Sequence, residues 1–451
     1  MRIAFVNQPF DVIVPPFQSS IGIYTWGIGR PLAKSSEVIA YGLKDFHPEN
    51  ASQICGPSLH LRLIPSGRMD SLVFKAHKKL GNLIQISSPI SSSDLLFPKY
   101  GRQVAEDLRK QECDVIHIHH CSQYAPVIRA LNPKAKIVLQ IHAEWFSQSN
   151  FEALRRRLES VDLLLTVSDY IGRKTRRDFP SIADRCETLY SNIDSEEFQR
   201  EKDYSASRQR KEKRILYSGA ISPHKGPHVL LDAFSMVVKE YPDVHLEMVG
   251  SLANYPLEEV FDMKDRTTIK EVAHFYAKRP VRRLMARFGL EPGDAGTYQA
   301  YLKSKLTSDI AEKVTFTGFI ARQDLVDRYY GADIFVFPPI WGEGFGLPPV
   351  EAMAAGLPVV GSRSGALPET VAEGETGFLV EKKDPRALAQ QILRLLKDDD
   401  LREKMGRAAR KRALSIFTWE RAASLLEEQY RRLLSGQRGR VGPQHHTSVA
   451  S

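Results

Sequence analysis

A chain of 451 residues with 42% hydrophobic and 26% charged content has enough apolar side chain for two or three buried cores. No apolar run approaches the ~20 residues a membrane-spanning helix needs, and Met1-Arg-Ile-Ala-Phe-Val-Asn-Gln-Pro lacks the long apolar core of a signal peptide. The formal net charge of +9 favours anionic partners, nucleotide phosphates or anionic lipid. Basic and aromatic residues do not interleave as in a nucleic-acid module, so nucleic acid is not an expected partner. Cys55, Cys113, Cys121 and Cys186 are scattered without metal-ligand spacing, which reads as reduced thiols in a cytoplasmic protein.

In chain order, residues 3–6 predict a first buried strand. A loop rich in Pro and Ser follows, then Gly22 within Ser19-Ser-Ile-Gly. Asp114-Val-Ile-His-Ile-His-His, residues 136–142 and residues 161–168 are short apolar runs of the kind a parallel sheet buried on both faces requires. Alternation puts His117 and His119 on one strand face and His120 on the other, where packing roles are expected, while His142 closes its strand. The charged run 204–213 reads as a linker. A second strand–helix alternation then starts at Arg214 and continues through strands near 244–250, 314–319, 332–338 and 358–362. Each half therefore predicts a doubly wound parallel sheet, with ligand at the carboxyl ends of the strands.

Residues 251–313 form an insertion in this pattern. Within it Val281, Leu284, Met285 and Phe288 make an apolar stripe flanked by Arg279, Arg282, Arg283 and Arg287. That is a basic amphipathic helix suited either to an anionic membrane surface or to packing on its own domain. Asp398-Asp-Asp follows a predicted helix over 388–396 and reads as a solvated helix end, not a metal motif. Residues 436–451 have almost nothing to bury and read as a disordered tail.

Two loops carry the chemistry. The first is Tyr217-Ser-Gly-Ala-Ile-Ser-Pro-His-Lys-Gly-Pro. There Gly219, Gly226, the Lys225 ammonium and a following helix N-terminus make a pyrophosphate cradle. The second runs Trp341-Gly-Glu-Gly-Phe-Gly-Leu-Pro-Pro-Val-Glu-Ala-Met-Ala-Ala-Gly. Pro348 and Pro349 suit a helix start and Gly356 its end, so Glu343 lies in the loop and Glu351 in the early helix.

The Glu-x7-Glu spacing of Glu343 and Glu351, with its glycines and following apolar strand, resembles the retaining family 4 glycosyltransferases (glycosyl transferases group 1). The resemblance runs to about residue 434. It implies the GT-B fold, two doubly wound Rossmann-like domains facing each other across a cleft. An acceptor-binding domain would span 1–205 and a nucleotide-sugar-binding domain 206–416. A helix over 417–435 would cross back to the first domain. The implied reaction is transfer of a sugar from a UDP- or GDP-linked donor to an acceptor hydroxyl, with retention, in polysaccharide, glycolipid or glycan biosynthesis. No cofactor or metal is expected. The acceptor would be a sugar, glycan or lipid-linked molecule, and the location cytoplasmic or peripheral on the inner membrane face.

By the same resemblance Glu343 binds donor-sugar hydroxyls with the backbone of Gly344, Phe345, Gly346 and Leu347, and Glu351 binds the ribose. Lys225 and Gly219 meet the diphosphate, Gly22 approaches the leaving phosphate, Phe319 and Ile320 meet the base, and His142 faces the sugar near the reacting carbon. The family's arginine after the first glycine of the Lys225 loop is Ala220 here, and Arg322 is the candidate replacement cation. The alternatives are a catalytically silent nucleotide-sugar-binding protein, or an epimerase or phosphorylase on the same fold.

Overall fold

The computed structural model describes residues 1–15, 18–55, 59–65, 93–94, 96–143, 151–253 and 297–437, with 67, 70, 72, 270 and 275 besides. The chain divides into two units, Met1–Asn192 with Trp419–Ser451, and Ile193–Thr418.

The first unit is built on seven parallel strands: β1 (Arg2–Val6), β2 (Glu37–Leu43), β3 (Leu59–Ile64), β4 (Val115–His119), β5 (Lys136–Ile141), β6 (Leu163–Thr166) and β7 (Cys186–Thr188). Their order, β3-β2-β1-β4-β5-β6-β7, reverses direction between β1 and β4. Every residue of β4 is buried, as expected for a strand covered on both faces. One face packs Tyr100, Val104, Ile118 and Leu139. The other packs Phe5, Tyr24, Ile28, Leu426 and Tyr430. The helix Trp419–Leu434 belongs to this second layer, burying Trp419, Ala422, Ala423, Leu426 and Tyr430 at helical spacing. The Trp419 indole occupies the space that a side chain at Gly27 would need.

The second unit has six parallel strands: β8 (Lys213–Ser218), β9 (Val244–Val249), β10 (Val314–Gly318), β11 (Ile334–Phe337), β12 (Val359–Ser362) and β13 (Gly377–Val380). The order β10-β9-β8-β11-β12-β13 places the switch point between β8 and β11.

Two expectations need correction. Residues 204–213 are not a linker: the helix Tyr204–Gln209 leads into β8 within the second unit and buries Ser207. The charge of this run serves internal bonds. Lys213 donates to the Ser207 carbonyl at 2.7 Å, and Arg210 pairs with the buried Asp333 at 3.1 Å. The chain passes between units at Asn192/Ile193 and Thr418/Trp419 rather than at 205/206 and 416/417. Asp398 likewise does not simply end a helix in solvent. Its carboxylate caps the helix Asp399–Ile416 by accepting from Leu401 N–H at 2.9 Å, and the next two acids sit on that helix's positive end.

Of the insertion, the described helices Thr297–Ser304 and Ser308–Ala311 accompany the helix Pro227–Glu240. The Tyr298 hydroxyl lies 2.8 Å from His228 Nδ1, and Lys305 pairs with Asp232 at 2.7 Å. The basic amphipathic helix expected at 279–288 and the tail from 438 onward lie outside the described residues.

Candidate active site

Adjacent strands at the switch point of the second unit bring together loops more than a hundred residues apart in sequence. After β8 the chain passes Gly219, makes a turn over Pro223–Lys225, and enters the helix Pro227–Glu240 through Gly226. Gly226 has φ +74°, and a Cβ there would overlap the Pro338 carbonyl oxygen in the loop after β11. Ile340 N–H then donates to the His224 carbonyl at 2.9 Å, stitching the two loops side by side.

The consequence is a direct meeting of Lys225 and Glu343. The ammonium lies 2.6 Å from Glu343 Oε2, and their side chains are only 19% and 9% exposed. Trp341 Nε1–H donates to the same oxygen at 3.1 Å. The ammonium also sits 5.0 Å from the Trp341 ring centroid and 5.5 Å from that of Phe337. Glu343 is held from behind, since its carbonyl accepts the Ala366 N–H at 2.9 Å.

Gly346, at φ +87°, precedes the helix Leu347–Ala354, whose first turn carries the two prolines. Gly344 and Phe345 are buried, Leu347 is half-buried, and the Phe345 ring packs 5.6 Å from Phe417. Glu351 faces inward from this helix and is already bonded at both oxygens: Oε1 accepts from Arg322 at 2.6 Å and Oε2 from the Tyr329 hydroxyl at 2.8 Å. Tyr329 also meets Ser218 Oγ at 2.6 Å, and Arg322 reaches Glu197 at 2.5 Å. Arg322 is therefore not a spare cation for the phosphate position left by Ala220; it belongs to the Glu351–Glu197 network. Phe319, beyond the end of β10, is 73% exposed, and Ile320 next to it is half-buried.

In the first unit, Gly22, expected from the sequence in the first strand–helix loop, lies in the first turn of the helix Ser20–Leu32. Its N–H is capped by Ser19 Oγ at 3.0 Å, and a side chain there would overlap the Val12 carbonyl. Ser19 in turn donates to Asp11 at 2.7 Å, and Asp11 also accepts the Gln8 N–H at 3.0 Å. Burial pushes the Asp11 carboxyl up to about 7, against the lowering effect of these two bonds. Sequence reading passed over Asp11. The available signal was an acid in the loop that follows β1, at the switch point.

His142 follows β5, with Nε2 3.0 Å from His119 Nδ1 and its ring edge-on to Tyr24 at 4.8 Å. Burial pushes its pKa down to about 3, so the imidazole is neutral. His117 is lowered to about 3 by burial and by His142, and bonds the Tyr430 hydroxyl at 2.6 Å. Burial likewise holds His119 and His120 well below the usual imidazole value. Among the described residues no three His, Cys, Asp or Glu side chains converge on a metal position.

Two doubly wound parallel sheets, one with a Lys–Glu pair and a helix N-terminus at its switch point, define a glycosyltransferase of the GT-B fold. Comparison with known proteins bears this out. Residues 198–412 match the family described as glycosyl transferases group 1, and residues 61–197 match glycosyltransferase family 4. The chain belongs to the group 1 glycosyltransferases. Among relatives, spore coat protein SA of Bacillus subtilis strain 168 is 27% identical over 345 residues, covering 74% of this chain and 82% of that protein. Among solved structures, sucrose-phosphate synthase from Thermosynechococcus elongatus superposes with a TM-score of 0.67 at 22% identity, covering 96% of this chain and 99% of that one. Anabaena HepE in complex with UDP and glucose gives 0.63 at 17% identity, covering 96% and 99%.

Proposed function

We propose that this protein transfers a sugar from a nucleoside diphosphate sugar to an acceptor hydroxyl with retention at the anomeric carbon, without a metal ion. The observation that carries the reading is the contact between Lys225 and Glu343 at the β8/β11 switch point. In this reading Lys225 is the cation for the diphosphate and Glu343 the carboxylate for the sugar hydroxyls, and the loops after β8 and β11 hold the two side by side. UDP in the HepE complex is consistent with a uridine donor, and GDP is the second candidate.

In this reading the anomeric C–O bond to the diphosphate breaks as the acceptor oxygen bonds the same carbon on the same face. The acceptor proton passes to the leaving phosphate oxygen. Lys225 offsets the charge that develops on that phosphate, and the start of the Pro227 helix adds its N–H groups. Glu343 orients the sugar. His142, neutral at physiological pH, offers a hydrogen bond but no charge to a sugar hydroxyl.

Calorimetry with UDP and GDP, alongside release of nucleoside diphosphate from sugar nucleotides with and without a chelator, tests this. Lys225→Ala should weaken nucleotide binding by about 10- to 100-fold, the loss of one charge-assisted bond. Glu343→Ala should abolish release while leaving nucleotide binding. Binding without any release by the wild-type chain would favour a silent nucleotide-sugar-binding protein, the reading that Ala220 in place of arginine supports. Loss of release on chelation, restored by magnesium, would refute the metal-free step. Peripheral attachment to an anionic membrane surface belongs to the same reading through the apolar stripe of Val281, Leu284, Met285 and Phe288 and its flanking Arg279, Arg282, Arg283 and Arg287. Salt-sensitive sedimentation with anionic but not neutral vesicles tests it.

A further inference from the structure

We propose that Trp341 is a positioning residue for the sugar end of the donor: it holds the Glu343 carboxylate in place when Lys225 leaves it for the diphosphate. The inference rests on the reading of this site as one for a nucleoside diphosphate sugar.

Without ligand, Glu343 Oε2 accepts two donors, the Lys225 ammonium at 2.6 Å and the Trp341 indole N–H at 3.1 Å. Oε1 has no hydrogen-bond partner among the described residues. A diphosphate carries more charge than one carboxylate, so an arriving donor draws the ammonium toward the phosphates. Glu343 would then be a carboxylate on a side chain only 9% exposed that has lost its cation. Such a group is costly unless another donor satisfies it, and it would swing toward whatever donor it could find.

The indole prevents this. It has one N–H, no acceptor and no protonation change near neutral pH, so it cannot exchange roles as Lys225 does. Its ring stands edge-on to His224 at 4.8 Å, and its carbonyl accepts the Ser364 hydroxyl. Neighbouring Ile340 is tied to the His224 carbonyl at 2.9 Å. With Oε2 fixed by the protein, Oε1 remains for the hydroxyl proton of a sugar. The two carboxylate oxygens thus divide the work, one toward the scaffold and one toward the ligand.

The test compares wild type with Trp341→Phe and Trp341→Tyr in calorimetry against UDP, UDP-glucose, GDP and GDP-mannose. Phe keeps a ring beside Lys225 and removes the donor; Tyr restores a donor at the ring's rim. We expect Trp341→Phe to bind the nucleoside diphosphate within about twofold of wild type, but to lose about tenfold in affinity for the matching sugar nucleotide. Trp341→Tyr should recover part of that loss, which a purely structural role for the ring would not predict. Equal losses for nucleotide and sugar nucleotide, or no loss for either, would overturn the proposal and leave the transferase reading standing. Should the Phe variant fail to fold, a Tyr variant whose loss falls on the sugar nucleotide more than on the nucleoside diphosphate supports the proposal, and one with equal losses or none overturns it. If the wild type binds none of the four ligands, both the proposal and the reading beneath it fall.

Discussion

Mild acid should open the first unit before the second. His117, His119, His120 and His142 cluster at the carboxyl ends of β4 and β5, and burial lowers the pKa of each. A histidine lowered in the folded state binds its proton only after unfolding. Its stabilising contribution is complete above the unfolded value of about 6.5 and is lost as the pH falls below it. Each such group removes about 1.4 kcal/mol per pH unit in that window. Asp11 works the other way. Its folded pKa of about 7 lies above the ordinary carboxyl value of 3.8, so between these limits the native state gains stability as pH falls.

Four histidines set against one aspartic acid leave a net uptake of three protons on unfolding. From pH 6.5 to 5, His117 and His142, each pushed down to about 3, together cost the first unit about 3 kcal/mol, of which Asp11 offsets about 2, and His119 and His120 act in the same direction as the other histidines. His224, also lowered by burial, works in the same direction at the second unit's site, as a single group rather than a cluster of four. Hydrogen exchange followed by mass spectrometry, corrected for the intrinsic pH dependence of exchange, reads the two units separately. Peptides covering 115–142 should lose far more opening free energy between pH 7.5 and 5 than peptides covering 334–362. Equal losses, or protection of 115–142 that does not change with pH, would show that the cluster takes up protons without unfolding and would refute the reasoning.

Gly226→Ala should destabilise the second unit by about 2–4 kcal/mol in urea unfolding, because the new Cβ meets the Pro338 carbonyl in a left-handed backbone. Its nucleotide affinity should fall with the displaced Lys225. Glu351→Ala strips Arg322 and Tyr329 of a shared acceptor; with the Arg322 side chain 40% exposed, about 2 kcal/mol is the expected loss of unfolding free energy. Glu351→Gln, which keeps an acceptor for the Tyr329 hydroxyl, should recover roughly half of it.

Much of this architecture was legible because doubly covered strands are nearly pure apolar runs. The runs at β1, β4, β5, β6, β8, β9, β11 and β12 stand out against charged helices. Of the strands that escaped notice, β2 and β13 are buried apolar runs like the rest, while β3 and β7 lack that contrast. β3, an edge strand, alternates buried Leu59 with exposed His60 and half-exposed Arg62, and β7 has only three residues. The linker reading failed for a related reason. Lys202, Lys213 and Arg210 look like solvated surface charge, yet Lys202 is buried with its ammonium 2.8 Å from the Tyr330 carbonyl, and burial lowers its pKa to about 8. Composition cannot distinguish a lysine in water from one that satisfies the carbonyl ends of a helix. Nor could it show that Arg322, placed correctly near the end of β10, turns its guanidinium to Glu351 and Glu197 instead of to a phosphate.

On the reading proposed above, that last detail changes how the second unit would attract a diphosphate. Two cations beside its site, Lys225 and Arg322, face three carboxylates, Glu343, Glu351 and Glu197, all within ion-pair distance. Among these five side chains the carboxylates outnumber the cations, so side-chain charge alone does not draw an anion in. Two other features do. The loops after β8 and β11 each lead into a helix N-terminus, at Gly226 and Gly346, whose backbone N–H groups and dipole favour negative charge without any counter-ion of their own. Lys225 can then trade a single carboxylate for a diphosphate while its aromatic neighbours Phe337 and Trp341 keep it beside the site. Arg322 cannot make the same trade without leaving two carboxylates unpaired. On the proposed reading, Ala220, where the family resemblance implies an arginine, leaves the exchange at Lys225 to carry the phosphate contact, and affinity for the diphosphate would depend on how readily Glu343 gives up its cation.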